Sequence, residues 1–286
     1  MTETDTILLE KVRAFGEMHR PGASLLLPNA WDAWSARLFE EAGFGAIGTT
    51  SGGIAYARGY QDGQHIGRDE MVGEIARIVA VVDVPVTADI EAGYGPAPAD
   101  VAETVRRVVG VGAVGVNLED ATGDPAAPLF PVPAQVDRLR AAREAAERAG
   151  MPLVINARVD TYLARVGESE GRFDETVRRG TAYLEAGADC VFVPVMVDPP
   201  TVEALVRAIP GPLNVMAMPG APTAPELFAL GVRRVSIGTA ATLAAMGLVR
   251  EIARELREQG SYAAIERHFL GFGEAEALFA REERGS

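Results

Sequence analysis

One local pattern recurs four times along the chain and narrows the folds open to it. A helical run ends in Gly, and a short apolar strand follows at once. It reads Ala42-Gly43-Phe44-Gly45-Ala46-Ile47, then Gly112-Ala113-Val114-Gly115-Val116. It returns as Ala186-Gly187-Ala188-Asp189-Cys190-Val191-Phe192 and as Leu230-Gly231-Val232-Arg233-Arg234-Val235-Ser236-Ile237. Each Gly can take the left-handed conformation that closes a helix. Each strand reads as apolar on both faces, as a buried parallel strand requires. Three more strands start after Pro: Val84-Pro85-Val86-Thr87-Ala88, Met151-Pro152-Leu153-Val154-Ile155 and Gly211-Pro212-Leu213-Asn214-Val215. With Ser24 to Pro28 at the front, the strands number about eight, as in a barrel of this type.

Helical segments lie between them. Residues 100–110 place Val101, Val105, Val108 and Val109 on one face, with Asp100 as the expected N-cap. Residues 240–258 place Leu248, Ile252 and Leu256 on one face, and Gly260 follows as a stop. Strands alternating with helices imply parallel βαβ units. Eight such units close most simply as a (β/α)₈ TIM barrel, an α/β fold. An open doubly wound sheet is the alternative, weakened because no G-x-G-x-x-G follows the first strand. A chain of 286 residues suits one such barrel. The expectation is therefore a single domain over 1–286, with 261–286 as a C-terminal helical extension. That extension carries Phe269, Leu270, Phe272, Leu278 and Phe279. So many apolar side chains call for burial, on the chain's own barrel or on a neighbouring subunit.

The chain carries 27 basic and 40 acidic residues, a formal charge of −13. That argues against nucleic acid, which needs a basic face, and against an anionic membrane surface. An acidic substrate would need a local cation: a metal ion, an Arg or a helix N-terminus. Cys190 is the only cysteine, so no internal disulfide forms; a reducing, cytoplasmic setting fits. Met1 to Phe15 has no apolar signal-like core, and no long apolar stretch suggests a membrane span.

In a β/α barrel the active site lies at the carboxyl ends of the strands. The second strand ends in Thr49-Thr50-Ser51-Gly52-Gly53, and the third in Ala88-Asp89-Ile90-Glu91-Ala92-Gly93-Tyr94-Gly95. The fourth ends in Val116-Asn117-Leu118-Glu119-Asp120 and the fifth in Ile155-Asn156-Ala157-Arg158-Val159-Asp160. Asp89 and Glu91, two apart, would point the same way from a strand. Any one of these carboxylates reads equally well as a helix cap or a surface ion pair. The set at successive strand ends is different, because carboxylates buried together call for a cation. Oxygen ligands without His or Cys suit Mg²⁺, with Mn²⁺ possible, better than Zn²⁺.

These motifs resemble the isocitrate lyase/phosphoenolpyruvate mutase superfamily. Pro28-Asn29-Ala30-Trp31-Asp32-Ala33, Thr50-Ser51-Gly52-Gly53, Asp89-Ile90-Glu91-Ala92-Gly93-Tyr94-Gly95, Leu118-Glu119-Asp120 and Asn156-Ala157-Arg158-Val159-Asp160 occur in family order, from about residue 10 to 275. The resemblance implies that Asp89 ligates Mg²⁺ directly and that Glu91 and Glu119 hold it mostly through water. It gives Ser51, Gly52 and Gly53 the substrate carboxylate and Arg158 the enolate oxygen. Asp62 would support the site. Beside these, Trp31 and Asn214 complete the expected substrate-binding set, with Trp31 reading equally well as a core or rim aromatic. The shared chemistry is cleavage at C3 of a small 2-oxo or 2-hydroxy carboxylic acid, leaving an enolate. It also implies a homodimer or homotetramer whose last helix is exchanged between subunits.

The chain departs from the family in the loop after the fourth strand. The lyases carry Lys-Lys/Arg-Cys-Gly-His there, with Cys as general acid. This chain has Ala121-Thr122-Gly123-Asp124-Pro125-Ala126-Ala127-Pro128-Leu129-Phe130-Pro131, without Cys, Lys or His. Phosphonopyruvate-type relatives carry Lys-x-Phe-Pro-Lys-x-Asn-Ser, of which only a displaced Phe130-Pro131 remains, and Pro194 stands where the mutases have His. Cys190 reads as a core residue. Decarboxylation of a 2-oxo diacid needs little beyond enolate stabilisation; a retro-aldol cleavage also needs an acid and a base, for which Tyr60, His65 or a water are candidates. His19 and His268 read as structural or exposed, and Thr239 as a helix N-cap. A Mg²⁺-dependent carbon–carbon lyase is the leading reading. The rivals are a P–C bond enzyme and a non-catalytic 2-oxo acid binder.

Overall fold

A computed structural model describes residues 3–20 and 22–280. The expected 1–286 unit and its extension therefore reach beyond the described residues at both ends. Nine parallel strands run in the order β1-β9-β8-β7-β6-β5-β4-β3-β2. They are β1 (Leu25–Leu27), β2 (Asn29–Ala30), β3 (Ile47–Thr49), β4 (Val86–Asp89), β5 (Gly115–Glu119), β6 (Val154–Arg158), β7 (Cys190–Val193), β8 (Leu213–Met216) and β9 (Arg234–Ser236). β1 and β2 are two halves of the first barrel strand, parted at Pro28. β1 pairs with β9, and β2 pairs with β3. Proline has no N–H to give the ladder, but its carbonyl still accepts from Gly48 N–H at 2.8 Å. The two halves thus close the ring, and the architecture is a TIM barrel.

The helices follow the sequence pattern. Gly43, Gly112, Gly187 and Gly231 all take positive φ, between 87° and 102°, and turn each helix into the next strand. α5 (Pro98–Gly110) buries Val101, Val105, Val108 and Val109 as the periodicity requires. It begins earlier than the sequence suggests. Ala97 is its N-cap, and Asp100 sits in the first turn, accepting from Ala97 N–H at 3.0 Å. α10 (Ala240–Gln259) stops at Gly260 with φ 63°, as expected.

The barrel interior departs from the reading of strands apolar on both faces. Its inward positions form a polar network. Asn156 Nδ2 donates to Asn117 Oδ1 at 2.8 Å, and Arg234 Nη2 donates to the same oxygen at 3.2 Å. Ser236 Oγ donates to Asn214 Oδ1 at 3.3 Å. The apolar side of each strand faces the helices, where Ile47, Val116, Ile155, Val191, Val215 and Val235 build the main core. An inward polar residue is tolerable because its partner is on the neighbouring strand.

The amino-end floor is closed by α1 (Glu3–Glu17). Its Val12 and Phe15 pack on Leu25, Leu27, Ala46, Val114 and Val154. His19 is buried behind it: Nδ1 meets Phe15 O at 2.9 Å, and Nε2 lies 3.5 Å from Arg234 Nη1. Cys190 is fully buried on β7, as expected of a core thiol, and burial pushes it up to about 12.

At the other end of the chain, α11 (Ala263–His268) and α12 (Phe272–Phe279) form the extension. α12 packs against α2 (Ala33–Glu41) of the same chain, with Leu278 buried and its carbonyl accepting from Arg37 Nε at 2.6 Å. Within the one chain described, α2 offers this helix an apolar seat and a donor. Among the described residues, no helix is long and apolar enough to cross a membrane.

Candidate active site

The carboxyl ends of β3 to β6 bring Ser51, Asp89, Glu91, Glu119 and Arg158 to one mouth. β3 runs into α3 (Ser51–Ala57), capped by Thr50, whose side chain accepts from Gly53 N–H. Ser51 donates to Asp89 Oδ2 twice, from its backbone N–H at 3.0 Å and its hydroxyl at 2.8 Å. Asp89 N–H in turn donates to Thr49 Oγ1 at 2.8 Å. The Ser51 hydroxyl, expected to meet substrate, is thus aimed at the proposed metal-binding carboxylate.

Glu91 arrives differently from the expected strand alternation. β4 ends at Asp89, and Glu91 lies in the following turn with φ 49°. Its Oε2 accepts from Gln64 N–H, and its Oε1 accepts from Tyr94 Oη at 3.1 Å. Tyr94 N–H donates to Gln64 Oε1 at 2.7 Å. Gln64 and Tyr94 also have positive φ, 61° and 60°. Three left-handed side-chain-bearing residues hold one another there, an arrangement that costs free energy and clusters at functional sites.

Glu119 and Arg158 are direct neighbours across β5 and β6. Arg158 Nη1 lies 2.6 Å from Glu119 Oε2, and Nε donates to Asp160 Oδ1 at 2.7 Å. Burial opposes the charge on Arg158, but Asp160 and Glu119 outweigh it and raise its pKa. Burial pushes Glu119 well above the carboxylate range, with Arg158 pulling the other way. Glu91 is raised to about 7, first by burial and then by the charges of Asp89 and Asp62. Asp120, of the same motif as Glu119, has a structural place: it accepts from Tyr183 Oη at 2.7 Å, Arg179 Nη1 at 3.0 Å and Asp160 N–H at 2.9 Å.

Asp62 comes over the rim from the loop after α3. The residue is largely exposed, but its carboxyl end is turned in against Gly52, where a Cβ would meet Oδ2 at 2.9 Å. Partial burial, then the charge of Asp89, raises its pKa. Gly52 and Gly53 owe their identity to close packing. A Cβ on Gly53 would strike Thr242 Oγ1 at 2.5 Å and Trp31 Cβ at 2.9 Å. Trp31 is buried against this turn, edge-on to Trp34 at 5.0 Å. Thr239 does not cap α10 with its side chain; its hydroxyl lies 3.0 Å from Thr50 Oγ1. Asn214 faces the interior, with Nδ2 unpaired among the described residues.

Two candidates do not join the cluster. Tyr60 and His65 are both exposed, and no hydrogen bond from either side chain reaches the carboxylates among the described residues. The loop after β5 folds as a small hairpin: Ala121 bridges Leu129, and Thr122 N–H donates to Pro128 O at 2.9 Å. Leu129 is buried, and the Phe130 ring lies 4.1 Å from the Arg138 guanidinium carbon. Arg138 and Gln135, buried on α6 (Val132–Arg148), were not singled out in the sequence. Their spacing of three on a helix beside the site was the available signal.

Among the described residues, no three His, Cys, Asp or Glu side chains stand where they could grip a metal directly. Each carboxylate already has a protein donor. The surplus of buried negative charge, and the oxygen-only donor set, nevertheless fit a hydrated Mg²⁺. That ion keeps several waters and takes only one or two protein carboxylates. Asp89 would be the direct ligand, with Glu91 and Glu119 reaching it through water.

Comparison with known proteins places the chain in a family. The family model for phosphoenolpyruvate phosphomutase matches residues 15–257. An uncharacterized protein of Mycobacterium tuberculosis is 36% identical over 250 residues, covering 86% of this chain and 89% of its own. A Burkholderia cenocepacia structure described as a lyase or mutase superposes with a TM-score of 0.90 at 37% identity, covering 96% and 98% of the two chains. Phosphonopyruvate hydrolase, solved with oxalate and Mg²⁺, superposes at 0.82 with 28% identity and 94% of each chain. Further relatives are named as lyases and mutases. The chain belongs to the phosphoenolpyruvate phosphomutase family, within the isocitrate lyase/phosphoenolpyruvate mutase superfamily.

Proposed function

We propose that this protein is a Mg²⁺-dependent lyase that cleaves a carbon–carbon bond of a small 2-oxo or 2-hydroxy carboxylic acid through an enolate. The observation that carries this is the half-buried Arg158, held by Glu119 and Asp160 beside Asp89 at one barrel mouth. Arg158 keeps its positive charge fixed where an enolate oxygen develops negative charge, so little reorganisation accompanies the reaction. Ser51 and Thr49 hold Asp89 in place. Asp62 closes the rim against Gly52, and Trp31 packs against Gly53 and helps exclude water. Mg²⁺, when bound, supplies Lewis-acid charge at the substrate's oxo group.

The loop 121–131 offers no thiol, ammonium or imidazole to protonate the enolate. Decarboxylation of a 2-oxo diacid is the reaction that asks least of it, since water can deliver that proton. A P–C bond hydrolase is the second reading, favoured by the similarity to phosphonopyruvate hydrolase over 94% of both chains.

The test is a panel of oxaloacetate, isocitrate, 2-methylisocitrate, substituted malates and phosphonopyruvate with Mg²⁺, with products read by proton and phosphorus NMR. Carbon–carbon cleavage that EDTA abolishes and Mg²⁺ restores is expected. Phosphate release from phosphonopyruvate would move the assignment to the second reading. Turnover by a metal-free Asp89→Ala protein would overturn the metal-dependent mechanism.

We also propose a homo-oligomer, dimer or tetramer. α10 is 20 residues long yet buries only Thr242 within the chain. Leu243, Met246 and Val249 on it are exposed, as is Phe272 on α12 at 83%. Exposed apolar side chains in such number mark an interaction surface. Light scattering after size exclusion should give at least twice the 30.2 kDa chain mass; a monomer at micromolar concentration would overturn this.

A further inference from the structure

We infer that Arg138, with Gln135, is a positioning residue that sets the distance between the two metal-bearing segments. This inference rests on the metal-site reading above. Asp89 ends β4 and Glu91 lies in the turn that follows, while Glu119 ends β5. Beyond the Asp89–Asn117 pair, the start of the turn is tied to β5 by two backbone bonds, Ile90 N–H donating to Asn117 O at 3.2 Å and Glu119 N–H donating to Glu91 O at 3.0 Å.

That turn is under conformational load. Glu91, Gly93, Tyr94 and Gly95 all have positive φ, at 49°, 83°, 60° and 156°. Its carbonyls at Ala92, Gly95 and Pro96 converge on one buried point. Arg138 fills that point. Nη2 donates to Ala92 O, and Nη1 donates to Gly95 O at 2.7 Å and to Pro96 O at 2.8 Å. Its Nε donates to Gln135 Oε1 at 2.9 Å, and Gln135 Nε2 donates to Glu119 O at 3.2 Å. Phe130, from the loop 121–131, covers the outer face of the guanidinium. Both α6 side chains are fully buried.

No carboxylate lies within ion-pair distance of Arg138 among the described residues, so the guanidinium is not there to neutralise an acid. It serves as a fork with five donors in one plane, a geometry that a lysine ammonium cannot reproduce. One residue thus joins the Asp89–Glu91 turn, through Gln135, to Glu119, and touches the loop that borders the mouth.

Mn²⁺ binding, followed by electron paramagnetic resonance on the full chain well below its unfolding temperature, tests this. Wild type should bind, and Asp89→Ala should not. Arg138→Lys and Gln135→Leu should each weaken Mn²⁺ by about 10- to 100-fold, the range seen when groups that orient metal ligands are removed. A calorimetric scan of each variant confirms that the protein measured is folded. A purely structural role for Arg138 would lower Tm and leave the Mn²⁺ affinity of the folded protein unchanged. Wild-type affinity in folded Arg138→Lys and Gln135→Leu would overturn the inference while leaving the metal site standing. Absence of Mn²⁺ binding in wild type would instead remove the metal-site reading, and this inference with it.

Discussion

The two ends of the barrel handle the same backbone problem in opposite ways. On the floor side, where helices turn into strands, the left-handed positions Gly43, Gly112, Gly187 and Gly231 are all glycine. On the mouth side, Gln64, Glu91, Tyr94, Arg165 and Val195 take positive φ while keeping their side chains. Charges are also treated differently. At the floor, Arg234 is buried against a neutral acceptor, His19, and a carboxamide, Asn117. At the mouth, several carboxylates share Arg158 and raise one another's pKa. The floor is arranged for low conformational cost. The mouth keeps strain and like charge, which is tolerable only where function requires those side chains.

Mutations that separate stability from activity sharpen this contrast. Phe15→Ala should show the largest effect on the floor side: about 3–5 kcal/mol of stability lost in a urea melt, because a fully buried ring leaves a cavity. Activity per folded molecule should stay near wild type. Arg158→Met should do the reverse, lowering kcat/KM on the panel substrate by about 10²–10³-fold through loss of a preorganised charge. If Phe15→Ala lost activity while still folded, the division between the two ends would fail.

The pH dependence of stability isolates the floor. His19 titrates near 6.5 when unfolded and is lowered to about 4 in the fold, by burial and then by the charge of Arg234. Between those values the unfolded state binds the extra proton. Stability from this group is complete above about pH 6.5 and is lost as pH falls towards 4. The stability of wild type relative to His19→Gln, measured by denaturant titration, should fall by about 3 kcal/mol as pH drops from 6.5 to 4. A flat difference would mean that His19 is protonated in the fold.

The smallest expected effect is at Gly43. A Cβ there meets no atom within 4 Å, so Gly43→Ala suffers only from φ 87°. It should cost about 1–2 kcal/mol by thermal melt and leave catalysis untouched.

The site was partly legible beforehand. Asp89, Glu119 and Arg158 stand where barrel strands end, and the structure brings them together. Glu91 reached the cluster by a left-handed turn rather than by the strand alternation expected of it, because β4 stops at Asp89. Tyr60 and His65 lay near the motifs in sequence but stayed on the surface, since the rim loop turns Asp62 inward instead. Arg138 was hidden in the charged run Asp137-Arg138-Leu139-Arg140, which reads as a solvated helix face.

The sequence by itself determined the order of strands and helices, the glycines that close the helices, and the carboxylates at the strand ends. These depend on periodicity and φ preference within a few residues, so a short window contains them. The tertiary structure alone decided that the barrel interior is polar, that α12 seats on an α2 helix, and which donor holds each buried acid. Those pairings join residues far apart in the chain, as Arg138 and Ala92 are at 46 positions. A buried polar group takes whichever partner the closed barrel brings within reach, and no local pattern records which one that is.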